Sequence, residues 1–345
     1  MDLEAVSMKT AAELLKITAP ELLFSPDLAI AKTEYRKLVS AWHTDTNPGV
    51  DPKVITHVNM LYDQAVKKLD LGVWEVPGTI IFKSTEGKKF QFKYRSKIEI
   101  DLGEMYVGDN FVAFSIFKTD EDLYKAARNQ IKNFKFANDK MKEEMKRFLP
   151  EIHSEIVTED RLVMVIKKTP DVLSLRDVLT HYKGKIDPKH VAWMVSRAYN
   201  IVCYLKYAGI VHSGISVDSF FISPVHHSGI LIGGWWFSRK VNEKLVAVPS
   251  FTANNIDTKI LKDKVATHKI DLELVKALGR ELLGDVVGSK LIMDKSIPRD
   301  LLVWLKSPAK NDPFNEYDVW QTRVLIDSFG KRKFIELPLT AADIY

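Results

Sequence analysis

The chain has 345 residues, of which 46% are hydrophobic and 28% are charged, a composition typical of globular proteins and not of disordered, collagen-like or disulfide-rich ones. This length exceeds one average domain and favours two domains, or one small domain and one larger one. The net charge of +5 is uneven, because residues 1–70 carry 8 basic and 10 acidic side chains and the remainder carries 42 and 35. The basic excess contains no long basic run, so we interpret it as an ordinary solvated surface.

Cysteine content and hydropathy indicate the compartment. Cys203 is the single cysteine and lies in an apolar run, so an intrachain disulfide is impossible and a buried small side chain is expected. No apolar run reaches the roughly 18 residues that a membrane-spanning helix needs. The first residues lack the basic and then apolar pattern of a signal peptide. We therefore expect a cytoplasmic protein with no membrane segment.

Two amphipathic patterns occupy the first part of the chain. Between residues 27 and 42, apolar side chains recur at spacings of three and four, which marks one face of a helix. The opposite face is basic and carries Lys32, Arg36 and Lys37. The turn-rich segment 43–49 follows, and a second pattern runs over residues 54–69. Two helices joined by a short loop predict an antiparallel hairpin.

The pattern changes after residue 72, where we place a domain boundary. Segments rich in β-branched and aromatic residues predict strands at 79–83, 89–94, 97–107, 111–118, 152–157 and 161–167. A helical tract is predicted over 120–149. The later chain is mostly helical, with predicted helices at 188–208 and 270–283 and short apolar runs at 220–223 and 229–232. Strands first and helices afterwards predict an α+β fold, with domains at 1–72, 73–170 and 171–345.

Several strings in residues 10–70 together resemble the J domain of heat-shock co-chaperones. They are Tyr35-Arg36-Lys37-Leu38, Trp42-His43-Thr44-Asp45, Asn47-Pro48 and Val58-Asn59-Met60-Leu61-Tyr62. That family has a basic second helix, a His-Pro-Asp loop and an Asn-x-x-Tyr-like third helix. Here Thr44 replaces the proline, and since proline restricts its own φ and the preceding residue, its loss loosens the loop.

The J-domain resemblance implies a partner and a binding surface. The family's basic helix and loop bind a heat-shock chaperone of the seventy-kilodalton class and stimulate its ATP hydrolysis. Carried over to this sequence, the binding residues are Lys32, Arg36, Lys37, His43 and Asp45.

From about residue 95 to residue 330 the chain resembles a protein kinase, with a bilobal fold of an antiparallel β-rich N-lobe and a helical C-lobe. Residues 111–118 resemble the third strand, which ends near the ATP-contacting lysine, here Lys118. Residues 212–222 resemble the catalytic loop and the apolar strand after it. Residues 230–238 resemble the strand that leads into the Asp-Phe-Gly motif, and 271–279 the buried helix whose first aspartate, Asp271, braces the catalytic loop.

The residues that kinase chemistry requires are replaced. Phosphoryl transfer needs a carboxylate to orient the acceptor hydroxyl, and an amide and a carboxylate to hold Mg²⁺. The resemblance puts Gly214, Ser219 and Gly234 at these three positions, with Gly233 as the alternative to Gly234. The glycine-rich loop falls near 102–106, where one glycine remains. The resulting degenerate pocket comprises Lys118, Glu143, His212, Gly214, Asp218, Ser219, Gly234, Trp235 and Asp271.

These resemblances predict a catalytically inactive, kinase-like adaptor or regulatory protein with no bound cofactor, which recruits a chaperone and a client protein. The alternative is an atypical phosphotransferase or ATP-binding switch that uses Lys118, Asp218 and Glu143. A third class, nucleic-acid binding, draws on the basic tract 128–147 with its interleaved Phe134 and Phe136. Acidic residues within that tract reduce its net positive charge, so nucleic acid is not an expected partner.

Overall fold

The computed structural model describes residues 10–44, 47–71, 74, 76–309, 312–330 and 335–345. The chain divides into two units. The first comprises the described residues through Phe82 together with Lys89–Lys93, and the second comprises Lys83–Lys88 and Tyr94–Tyr345.

The first unit is helical, apart from one strand pair. Its helices are α1 (Ala11–Leu15), α2 (Leu28–Trp42) and α3 (Pro52–Asp70). An aspartate caps the N-terminus of each long helix: Asp27 accepts from the main chain of α2, and Asp51 caps α3 ahead of the proline at its first position. Both predicted amphipathic helices are therefore present. The short helix α1 was not predicted.

The apolar stripes of α2 and α3 meet in the core of this unit. Ala31 and Leu38 of α2 are buried with Val58 and Leu61 of α3. Tyr35 stacks on Tyr62 with 4.0 Å between the ring centroids, and its hydroxyl donates to Asn59 at 3.1 Å. The strands β1 (Thr79–Lys83) and β2 (Lys89–Lys93) form a separate two-stranded sheet.

The second unit begins with a five-stranded antiparallel sheet in the order β3-β4-β5-β7-β6. Its strands are β3 (Ser96–Ile100), β4 (Gly103–Val107), β5 (Phe111–Phe117), β6 (Ile152–Val157) and β7 (Arg161–Lys167). The prediction of one strand over 97–107 is wrong, because a tight turn at Asp101 and Leu102 splits it into the β3–β4 hairpin. Gly103 enables this pairing: its φ is +145°, and a Cβ there would lie 2.1 Å from the Ser115 carbonyl oxygen.

The predicted helical tract 120–149 is two helices, α4 (Glu121–Lys132) and α5 (Asp139–Lys146). Asn138 caps the second helix by accepting from the main-chain N–H of Met141 at 2.9 Å. The predicted tract is therefore interrupted before Asp139, where the second helix begins. Helix α4 packs against the 3₁₀ turn Trp235–Phe237.

The remainder of the second unit is mainly helical. Its α-helices are α6 (Leu175–His181), α7 (Pro188–Ala208), α8 (Ser250–Asn255), α9 (Thr258–Leu261), α10 (His268–Leu282), α11 (Arg299–Lys306), α12 (Pro313–Val319), α13 (Leu325–Phe329) and α14 (Ala341–Ile344). Short strands alternate with them at β8 (Leu173–Ser174), β9 (Ile210–Val211), β10 (Phe220–Ser223), β11 (Ser228–Leu231) and β12 (Arg239–Lys240). The predicted helix 188–208 is confirmed at both ends, because Asp187 caps its start and Gly209, with a φ of +71°, ends it.

Helices α7 and α10 pack against each other in the largest apolar cluster. Strand β10 pairs with β11 on one side and β8 on the other, both antiparallel. The chain thus has an α+β fold with antiparallel sheets. None of the described helices combines the length and apolar character needed to cross a lipid bilayer.

Candidate functional site

Asp271, the first acidic residue of α10, holds the loop that precedes β10. Its carboxylate accepts the main-chain N–H of His212 at 2.9 Å and that of Ser213 at 2.8 Å. Asp271 is fully buried, and burial raises its pKa to about 7 while the two N–H donors oppose the shift. The loop 212–219 is therefore fixed to α10 by two hydrogen bonds to one side chain.

His212 connects this loop to the turn after β11. Its Nδ1 accepts the N–H of Gly214 at 3.2 Å, which assigns the proton to Nε2, and Nε2 donates to the Gly233 carbonyl at 3.0 Å. Burial lowers the pKa of His212 to about 3. The ring is therefore neutral at physiological pH and acts as a structural bridge between two backbone segments.

A cavity of about 470 Å³, which we call the cleft, lies beside this loop. Gly214, Ser219 and Gly234, three residues of the predicted pocket, line it. Its walls also carry four aromatic rings, those of Phe114, Trp236, Phe237 and Phe251. The structure thus brings together the predicted loop residues and adds an aromatic wall.

Phe114 and Trp236 meet across the cleft. Their ring centroids lie 4.9 Å apart at an interplanar angle of 73°, an edge-to-face contact. Phe114 is 1% exposed and Trp236 4% exposed. A Cβ on Gly233 would lie 3.3 Å from the Cζ atom of Phe114, so even the smallest side chain at that turn would press on this ring. The ring pair therefore occupies space next to the turn Gly233-Gly234.

Several charged and polar groups of the cleft form hydrogen bonds within the protein. Arg176 donates from Nε and Nη2 to the two carboxylate oxygens of Asp218, each at 2.7 Å. Ser219 donates its hydroxyl to the Ser216 carbonyl at 3.1 Å and accepts the Ser216 N–H at 2.9 Å. Asp218 and Ser219 thus stabilise the loop itself.

A second acidic residue ties the β3–β4 turn to the start of α8. The Asp101 carboxylate accepts the Ser250 main-chain N–H at 3.2 Å and also the Ser250 hydroxyl. Two residues further on, the hydroxyl of Thr252 donates to the Ser213 carbonyl at 2.7 Å. The segment 250–252 therefore links the sheet to the loop on one side of the cleft.

Five residues predicted for the pocket do not line the cleft. Two of them, His212 and Asp271, are buried and hold the loop, as described above. Lys118 lies in a 3₁₀ turn after β5 and is exposed, and its Nζ donates to the Glu159 carbonyl at 3.4 Å. Glu143 lies on α5 and lines a different cavity. Trp235 is fully buried, with its Nε1 donating to the Leu231 carbonyl at 2.9 Å. Lys118 and Glu143 are therefore not cleft residues, because Lys118 lies beyond the end of β5 and Glu143 lies on α5, a helix separate from α4.

Metal-ligating side chains do not cluster in the cleft. Across the described ranges of the chain, no group of three or more His, Cys, Asp or Glu residues is arranged to hold a metal ion. The two aspartates of the cleft, Asp101 and Asp218, already accept hydrogen bonds from Ser250 and Arg176.

The first unit presents a basic surface on α2. Lys32, Arg36 and Lys37 are all exposed, on the side of the helix opposite the buried Ala31 and Leu38. His43 caps the C-terminus of α2, where its N–H donates to the Val39 carbonyl at 2.9 Å. Asp45 lies outside the described residues. Four of the five predicted chaperone-binding residues are thus on α2 or at its end.

The basic tract 128–147 does not present its aromatic rings for base stacking. Phe134 lies edge-on to Trp235 at 4.9 Å, and Phe136 stacks on Tyr204 at 5.9 Å. Both rings are half-buried against the core. Arg128 and Lys132 form ion pairs with Glu155. This geometry does not favour the nucleic-acid alternative.

Sequence reasoning missed Phe114, Arg176 and Asp101, which shape the cleft. Phe114 looked like an ordinary strand residue, and the partners of Arg176 and Asp101 lie far away in the sequence. Comparison with known proteins yields no match, either to a protein-family model or to a curated protein.

Proposed function

We propose that the chain is a kinase-like adaptor without phosphotransferase activity, whose J-like first unit recruits a heat-shock chaperone and whose second unit binds a client protein. The kinase-like interpretation is supported by the five-stranded antiparallel sheet followed by helices. It is also supported by Asp271, which holds the main chain of His212 and Ser213 as the resemblance implies.

The observation that carries the inactive assignment is the contact between Phe114 and Trp236 across the cleft. Two buried aromatic rings occupy the region beside Gly233-Gly234, where phosphoryl transfer would require charged ligands for Mg²⁺ and phosphate. Asp218, which follows Gly214 by four residues in the sequence, is held by two hydrogen bonds from Arg176. A carboxylate bound in this way is poorly placed to orient a substrate hydroxyl.

The alternative of an atypical phosphotransferase receives less support. It needs Lys118, Asp218 and Glu143 in one site, but only Asp218 lines the cleft. Since proton and phosphoryl transfer require contact within hydrogen-bond distance, the other two residues cannot assist there without a rearrangement.

A ligand-binding experiment tests the proposal. We expect magnesium-ATP at millimolar concentration to stabilise the protein no more than base-free tripolyphosphate does, and we expect no phosphate transfer to the protein or to a general acceptor. A ligand bound at 100 times its Kd would add about 2.7 kcal/mol to the free energy of unfolding, which thermal denaturation detects easily. Magnesium-dependent stabilisation specific to ATP, or phosphate transfer that is lost in Asp218→Asn, would favour the enzyme instead.

A further inference from the structure

A second cavity, with a volume of about 770 Å³, lies away from the cleft in the second unit. Its walls come from α5, the segment between α5 and β6, the end of β7 and the residues after it, helix α7 and the β10–β11 hairpin. No residue of the cleft lining is shared with it. Its volume lies within the range typical of small-molecule sites, ~300–1,000 Å³.

Basic side chains dominate the wall of this cavity. Five cations line it, against the three carboxylates of Glu143, Glu151 and Asp171, which leaves a formal excess of two positive charges with His226 and His227 neutral. The five are Lys146, Arg147, Lys167, Lys168 and Arg197. We call these five residues the basic cluster.

The basic cluster is not neutralised by local ion pairs. In the described part of the chain, none of its five members forms an ion pair with a carboxylate. Asp171 is instead bonded by the Ser223 hydroxyl at 2.5 Å and lies 4.0 Å from the His226 ring nitrogen. Because the five cations outnumber the three carboxylates on this concave surface, they raise the local potential and favour a bound anion.

Two members of the cluster are held in place by the main chain. Lys168 is only 7% exposed, and its Nζ donates to the Asp109 carbonyl at 2.9 Å. Arg197 donates from Nε to the His227 carbonyl at 2.6 Å, and the His227 ring stacks on Trp193 with 4.8 Å between centroids. Burial lowers the pKa of Lys168 to about 8, so a bound anion would relieve an unfavourable desolvation of its charge. These cations are therefore preorganised.

We propose that this cavity binds a compact multivalent anion of the phosphate class, held by the basic cluster. Arginine and lysine together suit phosphate oxygens, because guanidinium donates along two directions and ammonium acts as a point charge. Phe148 and Ile230 also line the wall and would contact an apolar part of the ligand. The inference does not depend on the proposed function of the cleft.

Calorimetric titration of the full chain with sodium tripolyphosphate, in buffer of about 150 mM ionic strength, tests the site. We expect saturable binding to one site, and at least about tenfold weaker binding in Lys146→Glu/Arg147→Glu, because both side chains are exposed at the cavity edge. The matched control is Lys140→Glu/Lys142→Glu, which reverses two exposed charges on the same helix outside the cavity. The control should bind like the wild type.

Two outcomes would overturn the proposal. One is the absence of binding at millimolar tripolyphosphate, and the other is an equal loss of affinity in both double variants, which would indicate diffuse attraction to the protein surface. If Lys146→Glu/Arg147→Glu does not fold, Lys167→Glu replaces it, because that side chain is exposed at the end of β7. Tripolyphosphate lacks the adenine base and ribose of ATP, so it does not report on nucleotide binding in the cleft. Neither its binding nor a failure to bind affects the proposal that the cleft is inactive.

Discussion

Ser213 donates its main-chain N–H to the carboxylate of Asp271 at 2.8 Å while adopting a left-handed backbone conformation with a φ of +61°. Its side chain is fully buried, and within the described part of the chain the hydroxyl has no hydrogen-bond partner. Backbone strain and an unsatisfied hydroxyl at Ser213 therefore both destabilise the folded loop locally, in the geometry that its hydrogen bonds to Asp271 impose.

Replacing Ser213 with glycine should stabilise the protein. Ser213→Gly removes the unsatisfied hydroxyl and relieves the positive φ, and we expect a gain of about 0.5–1.5 kcal/mol in the free energy of unfolding after the higher entropy of unfolded glycine is subtracted. Urea denaturation measures the change. The control is Lys183→Gly, which has a φ of +54° but an exposed side chain, so it should gain less. A loss of stability in Ser213→Gly would show that the hydroxyl has a structural role.

Glu281 should make stability fall as the pH rises. Its side chain is 17% exposed and lies 3.7 Å from Arg176, and burial raises its pKa to about 7. The folded state therefore holds this proton more tightly than the unfolded state, so the free energy of unfolding decreases as the pH rises from below the ordinary glutamate value to about 7. Relative to the wild type, Glu281→Gln should be more stable at pH 8 than at pH 5, by about 1–3 kcal/mol.

Chemical denaturation at several pH values between 5 and 8 checks the Glu281 prediction. Arg176 keeps its two hydrogen bonds to Asp218 in this variant, so the local structure should persist. Glu86→Gln, at an exposed turn, controls for the removal of a carboxylate as such. The prediction is wrong if the stability difference between Glu281→Gln and the wild type is the same at both ends of the pH range.

The contact between Phe114 and Trp236 should appear as a coupling energy. Each ring is buried, so Phe114→Leu and Trp236→Leu should each destabilise the protein by about 1–4 kcal/mol. The double variant should lose about 0.5–1.5 kcal/mol less than the sum, because an edge-to-face contact can be removed only once. Phe114→Leu combined with Trp304→Leu is the control pair. If the Phe114 and Trp236 effects add like those of the control, the rings do not interact significantly.

The basic face of α2 should decide chaperone binding if the J-like proposal is correct. Arg36→Glu/Lys37→Glu reverses two exposed charges, and we expect at least about a tenfold loss of affinity for a seventy-kilodalton heat-shock chaperone. Surface plasmon resonance at two salt concentrations measures it. Lys53→Glu/Lys67→Glu, which makes the same charge change at exposed positions of α3, should bind normally. Unchanged binding in the α2 variant would contradict the proposed contact.

Local patterns were sufficient to predict the main helices. The apolar spacing over 27–42 and 54–69 predicted α2 and α3, and Asp187 with Gly209 marks both ends of α7. These features depend on side chains within one or two helical turns of each other, so they can be recognised from the sequence alone. The β3–β4 hairpin was harder to predict, because the residues of its tight turn, Asp101 and Leu102, are a weak local signal for a turn.

By itself the sequence predicted the main amphipathic helices and most strands of the sheet, although not the turn that separates β3 from β4, and the kinase resemblance supplied the loop 212–219. Only the tertiary structure decided which side chains share a site. Phe114 meets Trp236, Arg176 binds Asp218 and Asp101 binds Ser250 across 122, 42 and 149 positions of the chain. Lys118 and Glu143 were excluded from the cleft in the same way. Contacts at such separations depend on how whole elements pack, and the periodicity of a single element contains no information about its distant neighbours.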